Sequence, residues 1–185
     1  MKAIAIAFIL FIGLQGCLSA QNITVTFSGG ANGINNGNPI PLLSFKIGTQ
    51  QQSIVNLAGG GASAAKSQFT PLTLYKNVDQ TTPQIFIACA MGKPIKNALL
   101  TVSSQGNADT VYFQIALENV YISTVNDDST NSDGGPPFES FSLSYGKIGW
   151  NYMPPAGGTP LQSGFDIIKN VAVNFSSLLA PAPSD

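Results

Sequence analysis

The 185-residue chain contains no histidine, and its eight cationic residues are all lysines, so arginine is missing as well. Histidine carries most neutral-pH proton transfer and much zinc and iron ligation, and arginine carries bidentate phosphate recognition. Their absence disfavours His-based hydrolysis, most metal chemistry and nucleic-acid binding. Charge of either sign is scarce: 9% of residues are charged and the net charge is −1, which gives no field to steer a polyanion or an anionic membrane. Cysteine is limited to Cys17 and Cys89. What is plentiful is apolar material, 44% of the chain, enough to order one domain of this length around a core.

The long apolar run is confined to the start. Met1 and Lys2 precede residues 3–14, a stretch too short to span a bilayer core and shaped like a secretory signal peptide. Two processing points follow. Cleavage after Ala20 leaves Gln21 as the new start. Cleavage before Cys17 uses Leu14-Gln15-Gly16-Cys17, which resembles a bacterial lipobox and gives a lipid-anchored N-terminus. The expected organisation is a leader over residues 1–20, one domain over 21–176 and a Pro/Ala tail over 177–185. A chain starting at Gln21 keeps Cys89 alone, so it has no internal disulfide and its stability rests on the core. Cys89 itself reads as a small buried hydrophobe.

Beyond the leader the dominant signal has a period of two, the mark of half-covered strands. Ile23, Val25 and Phe27 alternate with polar residues, as do Leu43, Phe45 and Ile47, then Val111, Phe113, Ile115 and Leu117, then Phe141, Leu143 and Tyr145. Residues 119–125 and 165–175 read as further strands, and residues 48–67, rich in Gln, Gly, Ala and Ser, as a long polar loop. One segment departs from this pattern. Thr82 can cap Pro83, residues 85–91 are apolar all round, and Gly92 suits the left-handed position after a helix, which predicts a short buried helix. The expected fold is mainly β: eight or nine strands forming a small antiparallel β-barrel with one short lateral α-helix.

The candidate chemistry is thin. Residues 60–67 approach a phosphate-binding loop, but Ala65 replaces its second fixed glycine and Phe69, Thr70 and Pro71 follow where a helix must begin. Asp127, Asp128 and Asp133 could offer oxygens to calcium, although their spacing is not that of an EF-hand and solvated loop acids are the simpler reading. Glu118 and Glu139 are conceivable acid/base partners for glycoside cleavage, with nothing in sequence to set their separation. Lys93 and Lys96 follow the helix and favour its negative end. Tyr112, Tyr121, Tyr145, Trp150 and Tyr152 could form a sugar platform, but in alternating strands they read first as barrel wall or subunit interface. No catalytic, cofactor or metal site is expected.

The order of several segments resembles a known family. Leu72-Thr73-Leu74-Tyr75-Lys76-Asn77-Val78-Asp79, then Thr82-Pro83, then Ala88-Cys89-Ala90-Met91-Gly92-Lys93 is similar to the strand and helix of the haemolysin-coregulated protein (Hcp) family, the tube subunit of type VI secretion. Leu117-Glu118-Asn119-Val120-Tyr121-Ile122-Ser123, Glu139-Ser140-Phe141-Ser142-Leu143-Ser144-Tyr145-Gly146-Lys147-Ile148, and Gly164-Phe165-Asp166 with Asn170-Val171 resemble its later strands in the same order. The resemblance implies a β-barrel that has no catalytic site of its own. It also implies six copies in a ring and rings stacked into a hollow tube whose lumen is open to cargo. By position, the family's inter-ring contact loop corresponds to residues 49–66, with Thr49 and Lys66 at its ends and Gly59, Gly60 and Gly61 within it. A long segment of this kind suits a contact role. The leader is a departure, since the family's secretion-tube members assemble in the cytoplasm without one; it points to a secreted or surface location.

Overall fold

In the computed structural model, residues 21–29, 34–51, 53–54, 63–64, 67–104, 110–128, 137–154 and 157–179 are described. The leader, with Cys17 and Ala20, lies outside these residues, as do Gly59, Gly60, Gly61, Lys66 and Asp133. The elements run β1 (Gln21–Ser28), a 3-10 turn (Ile34–Gly37), β2 (Ile40–Leu42), β3 (Ser44–Lys46), β4 (Thr49–Gln50), β5 (Ser53–Ile54), β6 (Ser63–Ala64), β7 (Gln68–Phe69) and β8 (Leu72–Asn77). Then come α1 (Thr82–Ala90), β9 (Ile95–Ser104), β10 (Thr110–Asp128), β11 (Phe138–Ser144), β12 (Lys147–Tyr152), β13 (Leu161–Asp166), β14 (Val171–Val173) and α2 (Phe175–Leu179).

Antiparallel ladders close a circuit. β9 pairs with β1, β1 with β2, β3 with β8, β8 with β11, β11 with β10, and β10 returns to β9. The step from β2 to β3 is a kink at Leu43, whose N–H donates to Tyr75 O at 2.7 Å and so carries the wall across. The kink also reverses the phase. Ile40 and Leu42 are buried, whereas Leu43, expected on the apolar face, is exposed. Inside the circuit sit Val25, Phe27, Leu72, Leu74, Leu100, Ile115, Leu117, Phe141 and Leu143, supplied by alternate positions of the strands. The barrel expected from the alternation is therefore present.

β10 does double duty. The sequence suggests two strands here, but the chain runs 19 residues without a break. Its first half pairs with β9 and β12 and its second half with β11. The change of partner falls at Asn119, which takes a left-handed φ of 57°, and Gly146 N–H donates to Glu118 O and Asn119 O at 3.0 and 3.2 Å as β11 turns into β12. Asparagine and glycine tolerate such geometry where branched residues do not.

Several expectations need correction. The presumed final strand over residues 165–175 is β13, a turn, β14 and the helix α2, whose Phe175 and Leu178 are buried against Ala116. Leu178 is held by packing, so the described fold continues to Leu179 rather than stopping at residue 176. The helix α1 is buried on one stripe only, through Ile85 and Ala88, while Phe86, Ile87 and Met91 are 54%, 55% and 71% exposed. Its N-cap is Thr81 rather than Thr82. Asp79 Oδ1 accepts from Thr81 N–H at 2.7 Å and from its hydroxyl at 2.6 Å, while the Thr82 hydroxyl accepts from Asp79 N–H at 3.1 Å. Its end is as expected: Gly92 has φ 58°, and the bonds from Gly92 N–H to Cys89 O and from Lys93 N–H to Ala88 O, each 3.0 Å, form a Schellman motif. Cys89 is half-buried rather than enclosed.

Where α2 crosses β12, Gly149 leaves no room: a Cβ there would lie 2.6 Å from Leu178 Cδ1 and 3.0 Å from Phe175 Cδ2. Gly149→Val should therefore lift α2 and cost about 1–3 kcal/mol, read as a lower midpoint in urea denaturation. A variant as stable as the parent would show that α2 does not depend on this contact.

Candidate assembly surface

The segment expected to be a structureless loop is an antiparallel ribbon at its base. Thr49 pairs with Phe69 and Gln50 with Gln68, and further out Ser53 pairs with Ala64 and Ile54 with Ser63. Its root is fixed to the barrel. Thr70 N–H donates to Gly48 O at 2.9 Å, Gly48 N–H donates to the Thr70 hydroxyl at 2.8 Å, and the Thr49 hydroxyl donates to Gln68 O at 3.2 Å. The Ser67 hydroxyl also bonds Gln51 Oε1. Two aromatics complete the anchorage: Phe69 stacks on Phe165 with centroids 5.5 Å apart, and Tyr145 donates its hydroxyl to Thr70 O at 2.9 Å. Burial pushes the Tyr145 phenol up to about 12, which keeps it a neutral donor through the physiological range. The described base of the arm is therefore tied firmly to the barrel.

The molecule leaves much apolar surface uncovered. One patch is the outer face of α1, with Phe86, Ile87 and Met91. A second lies at the turn between β13 and β14, where Ile168 and Val171 are exposed, while exposed Leu161 stands at the other end of β13 beside Tyr152. Among the described residues β14 pairs with β13 alone and so forms a sheet edge. Single exposed hydrophobes are ordinary, but grouped ones beside an unpaired edge mark places where another chain can add.

The remaining sequence candidates do not converge. Glu118 holds Lys147 at 2.9 Å near the bend of β10, and Glu139 pairs with Lys76 on the next strand. Glu139 stands opposite Asp127, nine positions along β10 from Glu118, so about 30 Å separates the two glutamates along the strand. They form no acid/base pair. Asp127 and Asp128 belong to the end of β10 rather than to a loop, and no group of three or more metal-ligating side chains occurs among the described residues. Tyr112, Tyr145 and Trp150 pack against the core. Tyr121 and Tyr152 are exposed, but Tyr152 lies opposite Phe113, eight residues from Tyr121 on β10, which leaves no shared platform. Lys93 and Lys96 border an open cleft beside Tyr121.

The feature that sequence reading missed is an ion network inside the wall. Lys76 and Glu139 are 1% and 0% exposed, with Nζ 2.7 Å from Oε1. The ammonium also lies 2.9 Å from Asp79 Oδ1 and donates to Asn77 O at 2.8 Å and Thr82 Oγ1 at 3.3 Å. It thereby ties β8, β11 and the start of α1 together. The Glu139 oxygens receive no directed hydrogen bond from the described residues, so that contact is charge against charge. Lys76 and Glu139 fall on apolar-side positions of their strands, the only signal that could have revealed them. At Asp79, burial raises the carboxyl's pKa, but hydrogen bonds from Thr81 and Lys76 outweigh it and hold the group below 3.8.

With the geometry in place, the chain can be set beside known proteins. Residues 15–152 match the family model described as type VI secretion system effector, Hcp. The chain belongs to the Hcp family. Protein hcp1 of Pseudomonas aeruginosa is 32% identical over 108 residues, covering 54% of this chain and 65% of that protein, so the match spans just under two thirds of that relative. The solved Hcp1 of Salmonella typhimurium is 22% identical with a TM-score of 0.66, covering 83% of this chain and 99% of that structure. A second structure, a type six secretion system protein, gives a TM-score of 0.72 at 15% identity, covering 83% of this chain and all of that one. These structural likenesses bear on the fold, and the Hcp barrel expected from the sequence is the fold observed.

Two outcomes follow from the ion network. Lys76→Met strands a buried carboxylate and should cost about 3–5 kcal/mol in denaturant unfolding, whereas Lys76→Met with Glu139→Leu should regain most of it. If the double variant is no better than the single, the charges are not the cause. For Asp79, the folded pKa is depressed, so its stabilisation is present above the unfolded value near 3.8 and fades as pH falls through the lower folded value. Asp79→Asn should therefore flatten the loss of stability below about pH 4 relative to the parent. Parallel curves would refute the assignment.

Proposed function

We propose that this protein is a structural subunit that self-associates into a ring, with rings stacking into a hollow extracellular or surface tube. The observation that carries the reading is the pair of unlike apolar patches, on α1 and at the turn between β13 and β14, in a chain that otherwise follows the Hcp fold. A ring forms when one patch of each copy meets a different patch of the next, and identical rings meeting face to back leave a complementary face open for growth. The working surface is geometric, and no reaction is assigned to it.

The arm supplies the contact between rings. Thr49 stands at its root, and Gly59, Gly60, Gly61 and Lys66 lie on the part of it outside the described residues. Its firm root suits a reaching element. Residues 1–20 direct export, with Ala20 and Gln21 at the cleavage point and Cys17 as the alternative lipid attachment site. No helix among the described residues is long and apolar enough to cross a membrane. Partners are other copies, with room for a cargo in the lumen.

Electron microscopy of the purified protein should show rings and short stacks. Deleting residues 59–65 should leave folded rings but shorten or abolish the stacks, because the core of the described residues is built without them. A strict monomer at high concentration would overturn the reading, and loss of the rings in the deletion would reassign the arm to contacts within a ring.

A further inference from the structure

Lys76 on β8 and Glu139 on β11 stand directly opposite each other in the ladder, and water reaches neither: their side chains are 1% and 0% exposed, with Nζ 2.7 Å from Oε1. An ion pair in such a place has lost the hydration of both charges. The lysine recovers part of it from Asn77 O, Thr82 Oγ1 and Asp79 Oδ1, but neither oxygen of Glu139 receives a directed hydrogen bond from the described residues. A dry carboxylate without donors keeps its charge only at a cost. Passing one proton along the 2.7 Å contact turns the pair into an amine and a carboxylic acid, which removes both buried charges.

An amine and a carboxylic acid held in contact are the reactants of an amide. The fixed contact gives them an effective concentration far above any reached in solution. Asp79 completes the group, with Oδ1 2.9 Å from the same nitrogen. Burial raises its carboxyl, but hydrogen bonds from Thr81 and Lys76 outweigh this and keep it ionised at neutral pH, ready to accept a proton from the nitrogen. Its side chain is 32% exposed, which gives a released water a way out.

We propose that Lys76 and Glu139 condense into an intramolecular amide that locks β8 to β11. The Nζ lone pair attacks Cδ of the Glu139 acid and the C–N bond forms. Asp79 takes the extra proton from the nitrogen and returns it to the departing hydroxyl, and the C–O bond breaks to release one water. No redox change occurs and no co-reactant is needed. The salt-bridged state is the reactant, so unlinked chains keep its energetics. The amide joins two strands that α1, β9 and β10 separate along the chain. Cys89 is the free cysteine of the described residues and no disulfide ties them, so this bond supplies a covalent brace that the barrel otherwise lacks. It stands independently of self-association.

Intact-mass measurement of the denatured protein provides the test. The folded parent, incubated at neutral pH, should accumulate a form lighter by one water, and tandem mass spectrometry of its digest should show the β8 and β11 peptides joined through Lys76 and Glu139. Lys76→Met with Glu139→Leu removes both reactants without stranding a charge, and should keep its full mass. Asp79→Asn, incubated where circular dichroism shows it folded, should form the joined peptide about a hundredfold more slowly. A folded parent that yields no joined peptide after prolonged incubation would overturn the proposal, as would a lysine joined to Asp79 instead. Linkage of Asp79→Asn at the parental rate would overturn the role given to Asp79.

Discussion

A strand of 19 residues presents a row of N–H and C=O groups along both edges, and nearly all must be paired if the strand is to lie inside a wall. β10 meets that demand on both edges in its first half and, by changing partner at its bend, on one edge in its second. β9 and β12 flank its first half and β11 flanks its second, so one strand belongs to the barrel throughout and also seeds the outer layer of β12, β13 and β14. The bend requires a left-handed residue at Asn119 and a close approach by Gly146. The remaining architecture, including the position of α2 over Ala116, follows from where that change occurs.

The same strand organises the polar chemistry. Lys147 reaches Glu118 at the bend, and Asp127 stands opposite Glu139 near the tip, where Lys76 brings β8 and the start of α1 into one network. A buried lysine held between two carboxylates contributes little net stability compared with an apolar replacement. It does impose a single geometry, because the ammonium has four oxygen neighbours in fixed places. That fixes the start of α1, and with it the direction in which Phe86, Ile87 and Met91 face solvent. The aromatic clamp of Phe165 and Tyr145 does the same for the arm. Both candidate contact elements are thus mounted on rigid roots, as an assembly with a defined repeat requires.

Much of the wall was legible because period two is a local signal. Val25 and Phe27, and Phe141 and Leu143, are buried as their alternation predicts. Gly92 marked the end of α1 because a positive φ selects glycine whatever surrounds it. The errors have non-local causes. Leu43 belongs to an apolar alternation, but the kink that closes the barrel turns it outward. Phe86 and Ile87 look like core, yet α1 has a covering layer on one side only. Phe175 and Leu178 lie in what reads as the end of a strand and a tail, and become a helix because Gly149 and Ala116 leave a shallow apolar seat on the sheet.

The sequence alone determined the class of fold, the position of α1, the scarcity of chemical groups and the order of segments shared with the Hcp family, since each depends on residue type and near neighbours. The tertiary structure decided which glutamate is buried and that the polar segment begins as a ribbon. Those properties depend on pairings between residues tens of positions apart, such as Lys76 with Glu139 or Gly146 with Asn119, and a chain of local preferences does not specify such pairings until the strands have closed.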